Sequence, residues 1–362
     1  MTGGGEGRDE LEFFTPRGEV IRLAAEFGQD RHVPGREPVS ARYVAMGEGW
    51  RVLQYRLPLP ARKDHRARDA LEREARAALA IERAYGSEVY ADVFTRLVGH
   101  NLDASEPFLL YAAAPATGTE PLARHTGRLS VEQLRAVMGQ LTLAVHLLSN
   151  IGFVHRALTP DTVLWDGKKV RVGEPHAAVH TGAPREAFGQ APWAAPEQRR
   201  GTGAADSRDD VWSVAQVTYH LLAGRPGDGA GPPSDLDGYR QLAAFRDSGA
   251  FAAGAEGRSH AIDVLRLLNR SDPLGGVSRP ADPLDAGREE FDRLLAAKRR
   301  DLGHGPEGGQ DGEDGRTEAG DGREGAGERR DAAGPRPGAR NGRPVRRGLW
   351  SRRSGGRTEG ER

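Results

Sequence analysis

The sequence predicts an α+β chain built in two parts, a small β-rich one and then a larger helical one, followed by a disordered tail. Three observations carry this. Arg42–Met46 and Trp50–Tyr55 are short runs of strand-forming residues split by Gly47-Glu48-Gly49, the pattern of a β-hairpin. Ser130 opens a run in which Val131, Leu134, Met138, Leu141, Val145 and Leu148 recur every three or four residues, the buried stripe of a helix. After Arg300 large apolar residues nearly vanish, and Gly, Arg, Glu and Asp take over.

The elements follow in order. Residues 1–11 are Gly-rich and charged and read as a disordered leader. Residues 12–111 form the β-rich part: short apolar segments broken by Gly and Pro from Glu19 to Leu57, an Ala- and Glu-rich helix from Asp69 to about Tyr85, and a strand at Phe108–Tyr111. Ala112 to Pro115 leads out of it into the helical part, residues 112–300. There Ser130 and Gln133 have capping-box spacing, and Gly152 suits the helix stop. Further helices are expected at about Asp209–Ala223, ending at Gly224, near Ala261–Asn269 and near Pro283–Arg300. Residues 301–362 cannot bury enough surface to offset the entropy of ordering. One island interrupts them, Pro344 to Arg353, where Trp350 is flanked by the pairs Arg346-Arg347 and Arg352-Arg353.

Composition narrows the function. At 362 residues the chain can bury one or two cores. Lys+Arg and Asp+Glu are both 52, so net charge selects no polyanion, and no nucleic-acid partner is expected. There is no Cys, hence no disulfide framework and no thiolate metal site. The start lacks a signal-peptide pattern, and the longest apolar runs fall far short of the ~20 residues of a membrane helix. A cytoplasmic protein is expected. Its basic residues are nearly all Arg, which together with abundant Ala and Gly suggests a bacterial genome rich in GC.

The stretch Val154-His155-Arg156-Ala157-Leu158-Thr159-Pro160-Asp161-Thr162-Val163-Leu164 carries the functional reading. It resembles the catalytic loop of a protein kinase, H-R-D-L-K-P-x-N, in which Asp is the base and Asn a metal ligand. Ala157 stands at the Asp, Thr159 at the Lys and Thr162 at the Asn. Downstream, Ala195-Pro196-Glu197 resembles the A-P-E motif, Ser207 to Ser213 the start of the buried large-lobe helix, Leu221 to Pro226 its end, and Ser271-Asp272-Pro273 with Arg279-Pro280 the D-P…R-P region. Across about residues 40 to 300 the chain resembles the bacterial Hanks-type Ser/Thr protein kinases, as a degraded member. The resemblance implies a bilobal protein-kinase-like fold, with the β-rich part as small lobe and the helical part as large lobe.

It also implies a set of site positions. Val52-Leu53-Gln54-Tyr55 matches the strand that carries the phosphate-binding lysine, with Gln54 in the Lys position. The chain's only lysines are Lys63, Lys168, Lys169 and Lys298. Val52 and Gln54 share one strand face, which leaves Gln54 able to hydrogen-bond a ligand. Glu74 matches the helix glutamate, with Arg56 as its expected partner. Glu174-Pro175-His176 stands where D-F-G binds metal; the longer Glu suits the strict octahedron of Mg²⁺ poorly. Val52, Gln54, Glu74, Leu164 and Glu174 are thus remnants of a nucleotide pocket. The phosphate-cradling glycine loop has only Phe27-Gly28-Gln29-Asp30 and Val33-Pro34-Gly35 as candidates, neither with paired glycines. His155, Arg156, Glu197, Asp210 and Arg279 match structural residues; Glu197 is expected to pair with Arg279, and Asp210 to hold the loop backbone. Thr181 is the one hydroxyl between Glu174 and Ala195.

Two readings follow. The first is a pseudokinase acting as a non-catalytic binding, scaffold or regulatory module for protein partners, with no resident cofactor or metal. The second is an atypical Ser/Thr kinase, or an ATP-dependent switch, retaining weak ATP and Mg²⁺ binding. Loss of a general base alone costs roughly 10²- to 10⁴-fold, which favours the first. The Trp350 island adds a third element, a short motif that docks on a partner or on an anionic membrane surface. Ser351 within it and Thr181 are candidate phosphorylation sites.

Overall fold

The structure is a computed structural model, and it describes residues 9–275, apart from 48, 88, 114–117 and 273, together with 293–294. The leader up to residue 8, the helix expected near 283–300, Arg279, and the tail with Arg346, Arg347, Trp350, Ser351, Arg352 and Arg353 lie outside the described residues. The described residues of the β-rich and helical parts up to 275 belong to one compact unit.

The first strand begins inside the expected leader. β1 (Asp9–Phe14) pairs with β2 (Val20–Phe27) in full register, from Asp9–Ala25 to Phe14–Val20. Leader residues 9–11 are therefore strand; alternation of Leu11 and Phe13 with acidic residues gives this run one apolar face. The short β3 (Arg31–His32) edges β4 (Ser40–Met46), which forms the expected hairpin with β5 (Trp50–Arg56). After helix α1 (His65–Tyr85) come β6 (Leu97–Asn101) and β7 (Phe108–Ala112). The order is β2-β1-β6-β7-β5-β4-β3, and β2 also pairs with β4. Six strands thus close on themselves, which removes the exposed edges a small sheet would leave.

Closure gives these strands two buried faces. Leu11, Phe13, Ala25, Val44, Met46, Val52, Phe108 and Leu110 pack together on one. Tyr55, Leu57, Leu97, Leu109 and Tyr111 on the other meet Ala67, Leu71, Ala75 and Ala78 of α1. α1 starts four residues earlier than its composition predicts because the Asp64 side chain accepts from Arg66 N at 3.0 Å and Ala67 N at 3.2 Å. Gly99 permits the seam between β1 and β6: a Cβ there would overlap the Phe13 ring and lie 2.9 Å from the Phe14 carbonyl.

The helical part is built on α2 (Val131–Asn150), whose capping box of Ser130 and Gln133 is complete. The short strands around it are β8 (Glu120–Pro121), β9 (Phe153–Val154), β10 (Val163–Trp165), β11 (Val170–Val172) and β12 (Val179–His180). Short α3 (Pro196–Arg200), the buried α4 (Arg208–Ala223), short α5 (Ala243–Asp247) and α6 (Ala261–Leu267) complete it. Gly224 ends α4 in the left-handed conformation, φ 73°. No helix among the described residues is long and apolar enough to cross a membrane.

If the seam is as tight as the Gly99 geometry indicates, Gly99→Val should lower stability by about 1–3 kcal/mol, the usual cost of overpacking. Urea denaturation followed by circular dichroism checks it.

Candidate functional site

The loop between β9 and β10 is fixed from below. Asp210, in the first turn of α4, accepts from the backbone N–H of His155 at 2.6 Å and of Arg156 at 2.8 Å. Burial pushes the Asp210 carboxyl up to about 7, against the pull of those two donors. Arg156 takes φ 69°, a conformation uncommon for a residue with a side chain, and the two bonds to Asp210 hold it there. His155 is fully buried; its Nδ1 accepts from Ala157 N at 3.3 Å and its Nε2 faces the Gly173 carbonyl at 3.4 Å. Burial lowers the His155 pKa to about 4, so the ring is neutral.

The chemistry of this loop is a closed turn. Ala157 presents only a methyl. The Thr162 hydroxyl donates to the Ala157 carbonyl at 2.7 Å and accepts from Thr159 N at 2.9 Å. Thr159 Oγ1 in turn accepts from Thr162 N. Asp161, the nearest carboxylate in sequence, is exposed. Leu164 sits on β10, opposite Pro121 of β8.

Above this loop the cleft holds a cluster of charge. Arg36, from the loop between β3 and β4, forms an ion pair with Glu74 of α1 and lies 4.2 Å above the Tyr55 ring. The other Glu74 oxygen accepts from the Tyr111 hydroxyl at 3.0 Å. Side-chain exposure is 9% for Arg36 and 2% for Glu74, so each charge depends on the other. Burial opposes the charge on Arg36, but Glu74, Tyr55, Tyr111 and Glu174 together raise its pKa above the usual value. Burial also raises the pKa of Glu74, against Arg36. Tyr55 is raised by burial and by the neighbouring Glu174. A guanidinium does not give up its proton in such a site, so the pair stays ionic.

Several expected positions move. Gln54 is buried, but on the face turned away from α1, where its Oε1 accepts from Arg42 Nε at 2.6 Å. Val52 lies in the core of the closed sheet on that same face. Neither lines the cleft, and the β5 residue facing Glu74 is Tyr55. Glu74 pairs with Arg36, whereas Arg56 is taken by Asp30 and Glu106. Glu197 pairs with Arg258; its expected partner Arg279 lies outside the described residues. Arg258 also reaches Asp209 at 3.3 Å, and Arg185 clasps Asp209 with contacts of 3.0 and 2.9 Å. Burial, then Arg185, lowers the Arg258 pKa to about 9. Arg156 donates to the Glu186 carbonyl at 2.8 Å, and Thr181 is exposed.

These residues do not fit ATP with Mg²⁺. On β5 the side chain beside Arg36 and Glu74 is a tyrosine, Tyr55. The Thr162 hydroxyl is committed to its own turn.

The fold is that of a protein kinase. The kinase domain of Mycobacterium tuberculosis PknI, solved as a point mutant, superposes with a TM-score of 0.51, covering 74% of this chain and 98% of that domain at 16% identity. In sequence, mouse sperm motility kinase 3A is 29% identical over 154 residues, 41% of this chain and 29% of that protein. The DNA damage-responsive serine/threonine-protein kinase RqkA of Deinococcus radiodurans is 29% identical over 139 residues, 36% of this chain and 20% of that protein. The chain therefore spans less than a third of the length of these relatives. No protein-family model matches it.

His176 offers a test of the cleft's burial. Its pKa falls to about 3, through burial first and then the Arg36 charge. The unfolded chain therefore binds a proton that the folded one refuses between about pH 6.5 and 3, so this group's contribution weakens as pH falls below 6.5. Comparing chemical denaturation across pH 7 to 4, His176→Asn should remove up to about 1.4 kcal/mol per pH unit of that decline. Parallel curves for wild type and variant would show a solvated His176.

Proposed function

We propose that this chain is a pseudokinase: a protein-kinase fold that serves as a binding or scaffold module for protein partners and transfers no phosphate. The observation that carries the reading is Ala157. The place of the transfer base holds a methyl group, and Asp161 does not stand in for it. Tyr55 beside Arg36 and the self-bonded Thr162 support the same conclusion. The polar groups retained in the lower lobe, Asp210 on the loop backbone and Glu197 with Arg258, hold backbone and helices rather than a substrate. Frame kept without chemistry suits a surface that binds. The Trp350 segment is a second contact in this proposal, for a protein groove or an anionic membrane surface, and the protein works in the cytoplasm.

One observation favours the second reading, an atypical kinase or ATP-dependent switch. Arg36 keeps a cation on Glu74 in the cleft, and Glu174 lies beside it. A guanidinium, however, is a fixed fork already engaged with carboxylate and ring, a poor replacement for a lysine's point charge.

With radiolabelled ATP and Mg²⁺, the purified chain should label neither itself nor a generic acceptor. Its melting temperature should stay unmoved by ATP, since a ligand at a hundred times Kd would add about 2.7 kcal/mol. Labelling that disappears in Glu174→Ala would overturn the reading.

A further inference from the structure

A second cavity lies apart from the cleft described above. It encloses about 1270 Å³ at the end of the closed sheet where the β1–β2 turn, the start of β5, the end of α1 and the start of β6 meet. Glu74, Tyr55, Ala157 and Glu174 do not line it. Small-molecule pockets typically span roughly 300–1,000 Å³, so this space suits a chain segment better than a metabolite.

Its lining is rich in arginine. Arg17, Arg51, Arg83 and Arg96 contribute to it, and all four are exposed. Among the described residues, Arg17, Arg51 and Arg83 have no carboxylate within ion-pair distance. Arg51 instead lies 4.7 Å over the Tyr43 ring. The two carboxylates among the described lining residues are engaged: Glu82 accepts from Leu97 N at 2.9 Å and faces Arg96 at 3.9 Å, and Glu19 is bonded to Thr15. Among the described lining residues positive charge is therefore in surplus. Trp50 stands at the same cavity with 58% of its surface exposed. Exposed Trp, Tyr and Arg together are the side chains that carry most binding energy at protein interfaces.

We propose that this cavity docks an acidic polypeptide segment of a partner protein, with its carboxylates on Arg17, Arg51 and Arg83 and an apolar side chain against Trp50. Glu19 and Glu82, set among apolar Leu97 and Val98, disfavour a continuous polyphosphate; they suit a peptide in which acidic and apolar residues alternate. The site deepens the reading of the chain as a binding module and rests on that reading for its purpose. Phosphate transfer tests the reading; peptide binding tests the site.

The experiment is fluorescence anisotropy of a short labelled peptide alternating glutamate with leucine, titrated with the full chain. Saturable binding that weakens with salt is expected. Arg51→Glu with Arg83→Glu should lower affinity by about tenfold or more, about 1.4 kcal/mol, and Trp50→Ala should lower it too, all at unchanged melting temperature. No binding, equal binding by the variants, equal binding of a glutamine–leucine peptide, or tighter binding of a single-stranded oligonucleotide would each overturn the proposal.

Discussion

The cleft is organised around one buried charge. Glu74 sits on the inner face of α1, beneath a sheet whose lower surface is otherwise apolar and aromatic. A carboxylate there needs a cation and further donors, because the desolvation it suffers is repaid only by close pairing. Among the described residues no lysine supplies it. Arg36 does, from the loop that leads into β4, with the Tyr111 hydroxyl as second donor. The consequences spread outward. The loop is drawn down onto α1, the guanidinium covers Tyr55, and Glu174 faces a cation already in use. Where a nucleotide's phosphates would need free positive charge, this protein has a satisfied pair.

The lower half is organised by a second set of buried charges with a purely architectural result. Asp209 and Glu197 share Arg185 and Arg258, two acids against two bases, so the site is neutral as a whole. Arg185 belongs to the segment between β12 and α3, Asp209 to α4, and Arg258 to the stretch before α6. The network thus ties together elements far apart in sequence. Breaking one partner would strand a buried charge, which costs far more than an exposed pair contributes. Asp210, next to Asp209 on α4, holds the loop after β9 through the His155 and Arg156 N–H groups.

Local signals are legible in the sequence, and long-range ones are not. The Ser130 capping box, the α2 stripe from Leu134 to Leu148, the β4–β5 hairpin and the Gly224 stop are each written within a few residues, and all are present in the structure; Val131, expected in the stripe, is exposed in the first turn. The face of β5 differs from its sequence reading by one residue. On a strand buried on both sides, alternation does not say which side is which, so Gln54 and Tyr55 look equally inward. The burial of both sides comes from β1, whose short Asp9–Phe14 run reads locally as part of a charged leader. Arg36 and Arg258 could not be singled out either: the chain is rich in arginine, and their partners lie 38 and 61 residues away. In a chain with so few lysines, the buried Glu74 is the one hint that some arginine must reach it.

A double-mutant cycle on Arg36 and Glu74 tests the central claim most directly. Stability would be measured by chemical denaturation at neutral pH for wild type, Arg36→Met, Glu74→Gln and the pair. If each charge exists for the other, each single change should cost about 3–5 kcal/mol, as for other broken buried pairs. The double change should cost less than their sum, by at least about 2 kcal/mol of coupling. Losses that add within about 0.5 kcal/mol would show that Arg36 and Glu74 act independently, and that the cleft is held by something else.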